Sequence, residues 1–264
     1  GLINTDERQG VYDKFWNRVM FPIMDVNNRV IGFGGRVMGD GKPKYLNSPE
    51  TVVFDKSRNL YGLNFARTTK KPQFLLCEGY MDVIAMHQAG FTNAVAALGT
   101  ALTVENARLL ARYADEVILI FDADAAGQKA TQRSIGILRD TGVDIRVVTI
   151  PDGKDPDEFI RRNGPERFKL LLECSANDVE YRLMKLGQQY PLSTENGQVA
   201  YLRAASQMLA ELSDPVEREI YAGKLAKELS VTKESLMNQI AYYISKRQRK
   251  KKDNTLIQAV RQNE

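Results

Sequence analysis

The chain has 264 residues, 43% of them hydrophobic and 27% charged, the balance of a globular protein with ample core for one large domain or two smaller ones. No apolar run approaches the ~18 residues of a membrane span and no signal peptide opens the chain, so no membrane partner and a cytoplasmic location are expected. Two cysteines, Cys77 and Cys174, and the single His87 cannot make a disulfide framework or a zinc site, and a net charge of +4 is too mild to argue for nucleic acid alone.

Residues 1–70 carry short β-like runs at 19–24 and 29–33, joined by Asp25-Val26-Asn27-Asn28, whose Asn pair suits a hairpin turn. Glycines and bases follow: Gly34-Gly35-Arg36, Lys42-Pro43-Lys44-Tyr45, Asp55-Lys56 and Arg58. The region reads as a small mixed α+β subdomain with exposed cations.

Residues 71–170 alternate regularly. Strands are predicted at 73–77, 93–98, 116–121 and 144–150, the last stopped by Pro151. Helices are predicted at 80–88, from a Thr103 cap to about residue 113, and at 125–139. His87, in the first of these, reads as structural. This β-α-β-α-β-α-β order implies a parallel sheet flanked by helices, with ligands beyond the carboxyl ends of its strands. Residues 171–264 are helical by pattern. Pro215 follows Asp214 as a first-turn proline, Thr232 caps a later helix, and a basic run covers 246–252.

The acids fall where that sheet would concentrate them. Glu78 ends the first strand, Asp122 and Asp124 end the third, Asp155 and Asp157 lie past the fourth, and Asp82 is one helical turn beyond Glu78. Like charges at the end of a buried strand are costly unpaired, and a hard divalent cation with oxygen ligands is the usual remedy. The same acids also suit helix caps and first-turn charges, which is the bland reading for Asp157 and Glu158.

Glu78-Gly79-Tyr80-Met81-Asp82, with Asp122-Ala123-Asp124-Ala125-Ala126-Gly127, resembles the TOPRIM module of bacterial primases, topoisomerases and some nucleases. Arg18-Val19-Met20-Phe21-Pro22-Ile23, Gly32-Phe33-Gly34-Gly35-Arg36, Pro43-Lys44-Tyr45-Leu46-Asn47-Ser48-Pro49-Glu50-Thr51 and Lys154-Asp155-Pro156-Asp157-Glu158 narrow the resemblance to the catalytic core of the bacterial DnaG-type primase family. It is strong over residues 1–165 and looser beyond.

The resemblance implies a primase core that joins ribonucleoside triphosphates into short RNA primers on a single-stranded DNA template. It implies magnesium, replaceable by manganese, held among Glu78, Asp82, Asp122, Asp124, Asp155 and Asp157. Glu78, Asp122 and Asp124 would be catalytic, with Glu78 either a ligand or a general acid or base. Arg36, Lys44, Tyr45, Asn47 and Lys56 would hold nucleotide or DNA. Guanosine tetraphosphate is implied as a competing ligand. The family's zinc-binding domain, N-terminal to the core, and its helicase-docking domain are both expected to lie outside this sequence, which reads as an excised core. A TOPRIM nuclease or topoisomerase fragment, a haloacid-dehalogenase-like phosphatase and a non-catalytic single-strand-binding fragment are the rival readings. No topoisomerase tyrosine is marked, and Ala125-Ala126 stands where the phosphatase pattern wants Thr or Val.

Overall fold

The computed structural model describes residues 2–6, 10–150 and 155–261, with the side chains of helical residues 250–261 left aside. The expected stop at Pro151, Lys154 of the acidic motif, and the side chains of Lys250, Lys251 and Lys252 fall outside the described residues. Two compact units divide at 178/179.

The first unit opens with a small antiparallel pair, β1 (Ile3–Asp6) and β2 (Gly10–Asp13). A three-stranded antiparallel sheet follows, β3 (Arg18–Met24), β4 (Val30–Val37) and β5 (Tyr45–Asn47), in that order. The β3–β4 turn forms where the Asn pair predicted it. Asn28 takes φ 63°, and Asp25 accepts from the amides of Asn27 and Arg29 at 2.8 and 2.9 Å. Ile23 of β3 is fully buried against Phe54 and Leu98, which joins this sheet to the larger one.

After a 3-10 turn (Lys56–Arg58) and the short α1 (Leu63–Ala66), the main sheet begins. Its strands are β6 (Gln73–Cys77), β7 (Ala94–Ala96), β8 (Glu116–Ile120), β9 (Asp144–Val147) and β10 (Ala176–Asn177), in spatial order β10-β9-β8-β6-β7. The first four are parallel, as expected, and β10 is an antiparallel edge strand that no sequence pattern announced. α2 (Tyr80–Gln88), α3 (Val104–Leu110) and α4 (Ala125–Arg139) connect the parallel strands, and α5 (Pro156–Asn163) and α6 (Pro165–Glu173) follow β9.

Alternation along the strands splits the core. Leu75, Cys77, Ile118 and Ile120 pack with Val83 and Met86 of α2, Phe159 of α5 and Phe168 of α6. Leu76, Val117 and Leu119 occupy the alternate positions and are equally buried. Arg146 of β9 donates to the carbonyls of Leu172, Glu173 and Ser175, satisfying the open end of α6. α6 and β10 therefore belong to the sheet's unit, and the division falls later than the expected boundary at 170. His87 accounts for itself structurally: its Nε2 sits 2.9 Å from the Ala94 carbonyl oxygen, and burial lowers its pKa.

The second unit is helical: α7 (Asp178–Gly187), α8 (Glu195–Leu209), α9 (Pro215–Glu228) and α10 (Lys233–Arg261). Thr194 caps α8, Asp214 caps α9 with Pro215 in its first turn, and the Ser235 amide donates to Thr232 Oγ1 at 3.3 Å. The unit's core is Val179, Leu183, Tyr201, Ala205, Leu209, Tyr221, Ala222, Leu225, Leu236 and Ile240. No described helix is long and apolar enough to cross a membrane.

Candidate active site

The strand order places the acids. β6 lies between β7 and β8, so the chain leaves β6 toward one edge of the sheet, then crosses back to its other side. The crevice between the carboxyl ends of β6 and β8 is the switch point where open α/β sheets bind ligands. Cys77 pairs with Ile120 at the end of that ladder. Glu78 and Asp122 thus emerge side by side, and the Glu78 carboxylate accepts from the Asp122 amide at 3.4 Å.

Asp82 stands behind them in the first turn of α2, with its Oδ2 accepting from the Gly79 amide at 3.0 Å. Burial pushes its pKa up to about 7. The Gly79 bond opposes that shift, and the charges of Asp122, Asp155 and Glu78 add to it. Burial also raises Asp122, helped by Glu78, Asp155 and Asp124. The structure therefore brings Glu78, Asp82, Asp122, Asp124 and Asp155 into one field of mutually repelling carboxylates. Asp124 and Asp155 also cap helices, accepting from Gly127 at 2.8 Å and Glu158 at 2.7 Å. Asp157 is placed differently: it is ion-paired with Arg161 one turn along α5, as Glu158 is with Arg162.

Among the described residues, no three acids, histidines or cysteines stand close enough to cage a metal ion. An open carboxylate edge is nevertheless a donor set that suits a hard divalent cation still holding several waters.

Gly127 makes the Asp-x-Asp turn possible. A Cβ there would collide with the carbonyl oxygen of Asp122, so the loop can fold this tightly over the start of α4 only above a glycine.

Arg36 lies in β4 of the smaller sheet and Lys44 just before β5. Arg36 is paired with Tyr45 across β4–β5, and Gly34 with Asn47. The Arg36 guanidinium and the Lys44 ammonium lie 5.6 and 5.8 Å from the Tyr45 ring centre. Burial raises the Tyr45 hydroxyl, Arg36 lowers it, and the charges of Asp82 and Asp155 raise it. Tyr45 therefore feels the basic strand and the acidic edge together. Lys56 lies in the 3-10 turn, its amide donating to Glu50 at 3.3 Å. Asn47 donates to the Leu98 carbonyl at 3.1 Å, while its buried Oδ1 has no partner among the described residues.

Tyr80 is the residue that pattern reading missed. It is buried between Phe21, Tyr45 and Tyr61, with ring centres 5.3 to 5.5 Å away, and its buried hydroxyl has no partner among the described residues. Burial pushes that hydroxyl up to about 12. A Cβ at Gly34 would stand 3.1 Å from both Asn47 Oδ1 and Tyr80 Cζ, so this glycine lets β4 approach α2. Its position between Glu78 and Asp82 was the only available signal.

Family models match residues 1–67 (DNA primase catalytic core, N-terminal domain), 75–160 (Toprim-like) and 179–234 (DnaB-helicase binding domain of primase). The E. coli primase catalytic core superposes with a TM-score of 0.74 at 39% identity, covering 88% of this chain and 76% of that one. This chain belongs to the DnaG primase family. The structure of a DnaG primase catalytic domain bound to ssDNA matches with a TM-score of 0.75 at 37% identity, over 89% of this chain and 75% of that one. The DNA primase of Clostridium acetobutylicum is 47% identical over 247 residues, 93% of this chain and 41% of the relative. That of Halalkalibacterium halodurans is 43% identical over 240 residues, 89% and 40% respectively. The chain thus spans about two fifths of the curated DnaG relatives it matches. One expectation is corrected: the model described as the helicase-binding domain falls on 179–234, inside this sequence rather than beyond it.

Proposed function

We propose that this chain is the polymerising core of a DNA primase, which joins ribonucleoside triphosphates into short RNA primers on a single-stranded DNA template. One observation carries this reading: Glu78 and Asp122 meet at the switch point, with Asp82 and Asp122 both raised in pKa. Glu78, Asp122 and Asp124 would hold a divalent cation, magnesium or manganese, with Asp82 and Asp155 beside them. That cation supplies neutralisation of phosphate oxygens and in-line orientation of the attacking and leaving oxygens. Asp157 would first have to leave Arg161 to join them.

The chain's own groups do the rest. Arg36 and Lys44 face a polyanion from the opposite side, Arg as a bidentate donor and Lys as a point charge. Tyr45 beside them offers a ring to nucleotide or template, and Asn47, whose Oδ1 is buried, would have to turn outward to reach either. Lys56 adds a further cation. Asp82 keeps its proton to near neutral pH and gives it up as positive charge enters. Guanosine tetraphosphate, as a nucleotide polyanion, competes for the same surface. Residues 179–234 would dock on the replicative helicase.

Labelled ribonucleotide incorporation on single-stranded DNA with magnesium or manganese tests the reading. RNA oligomers support it. Strand cleavage would favour a TOPRIM nuclease, and binding without synthesis a non-catalytic single-strand binder. Co-elution of the chain with helicase, lost when 179–234 is deleted, tests the docking assignment.

A further inference from the structure

Trp16 is the only tryptophan of the chain, and it is 77% exposed while its neighbour Phe15 is 4% exposed. Tryptophan is highly buried on average, so an indole this open stands out. Its presentation is fixed rather than loose. The Lys14 amide donates to the Leu2 carbonyl, the Phe15 amide to Asp13 Oδ1 at 2.7 Å, and Phe15 is driven against Gly35, where a Cβ would stand 2.8 Å from the ring. Next in the chain, Asn17 exchanges two hydrogen bonds with Met38, which is itself 59% exposed. Phe15 is thus the buried anchor of a turn that shows Trp16 to solvent.

That turn sits at the cationic end of the small sheet. The rung beyond the Asn17–Met38 bonds joins Arg18 to Val37, whose amide donates to the Lys44 carbonyl. The next rung is Val19–Arg36–Tyr45. By chain length alone the Cα atoms of Trp16 and Val19 are no more than about 11 Å apart. An exposed indole, an exposed methionine, and Arg36 and Lys44 about one ring of Tyr45 therefore share one end of one sheet. Basic residues that track a backbone, interleaved with aromatic rings that stack on bases, are the two parts of a single-strand groove.

We propose that Trp16 is a base-stacking platform for the single-stranded DNA template, extending the Arg36–Lys44–Tyr45 surface by at least one nucleotide. This rests on the primase reading above. Trp16 touches base faces and carries no phosphate contact, so it adds affinity without sequence preference and without salt dependence.

The single tryptophan makes the test direct. An unlabelled oligothymidylate about 16 nucleotides long is titrated while indole emission is followed, and binding is measured separately by anisotropy of a labelled oligomer. The expected result is quenching that saturates with the anisotropy curve. Trp16→Ala should weaken binding by about 5- to 150-fold, the range for one stacked base. Its plot of log affinity against log salt should keep the wild-type slope, because no counterion-releasing contact is lost. Trp16→Phe, which keeps a stacking ring, should recover most of the affinity, and equal melting curves show that both variants fold. Indole emission that stays constant through saturation, or Trp16→Ala binding as tightly as wild type, overturns the assignment while leaving the primase reading intact. Absence of any binding by anisotropy overturns the template reading itself, and this inference with it.

Discussion

Asp82 offers the sharpest test of the acidic edge. Its carboxyl titrates near 3.8 in an unfolded chain and at about 7 here, mainly because it is buried and then because Asp122, Asp155 and Glu78 repel its charge. A folded-state pKa above the unfolded value means that the folded chain binds the extra proton. The stability it contributes is therefore fully present below pH 3.8, falls through the window up to pH 7, and is gone above it. The slope is about 1.4 kcal/mol per pH unit and flattens around pH 7, so the loss from pH 5 to pH 8 is about 3 kcal/mol. Asp82→Asn removes the titration while leaving an oxygen to accept from Gly79. In metal-free buffer, the stability of Asp82→Asn relative to wild type should rise by about 3 kcal/mol between pH 5 and pH 8, or about 6 to 12 °C in melting temperature. Urea melts at the two pH values, with and without magnesium, are the assay. Magnesium should stabilise wild type more than the variant. A variant-to-wild-type difference that does not change with pH would show that Asp82 is neither as buried nor as crowded as this arrangement requires.

Asp122→Asn with Asp124→Asn should abolish primer synthesis while leaving the circular dichroism spectrum and cooperative melting of wild type; synthesis at the wild-type rate would remove both from the centre. Arg36→Ala with Lys44→Ala should reduce the single-strand salt slope by about 1.4, roughly 0.7 per phosphate contact, measured by anisotropy from low to moderate salt. Gly127→Ala should cut activity strongly, because the Asp122 carbonyl must retreat from the new Cβ and drag the carboxylate with it; near-wild-type rates would show that the turn has room to relax. Tyr80→Phe should be neutral or stabilise by up to about 1 kcal/mol, since it removes an unpartnered buried hydroxyl, and a loss of stability in urea would reveal a partner for that hydroxyl.

Local pattern was sufficient wherever one segment decides its own structure. Helices 80–88 and 125–139 were legible to the residue, because glycine, aspartate and apolar spacing mark their ends. So was the β3–β4 turn, where an asparagine tolerates positive φ. The same holds for the parallel character of β6 to β9, which a β-α alternation forces. Apolar length alone misjudged β7, expected over 93–98 and found at Ala94–Ala96, because burial continues past the point where a neighbouring strand is available to pair. β10 was invisible for the same reason: two residues become a strand only because β9 offers them an edge.

The site divides similarly. Sequence could say that Glu78, Asp122 and Asp155 each end a strand or begin a helix. It could not say that β8, rather than β7, lies beside β6 on the side where Glu78 needs a partner, since strand order is a property of the whole sheet. It could not separate Asp155, facing the acidic edge, from Asp157, held by Arg161, because two residues along a first helical turn point in different directions. Residue type gave Trp16, Tyr80 and Gly127 no role of their own, although the last two lie inside the acidic motifs. Only the packing of distant segments leaves the first open to solvent, buries the hydroxyl of the second with no partner among the described residues, and lays a carbonyl where the third has no side chain to obstruct it.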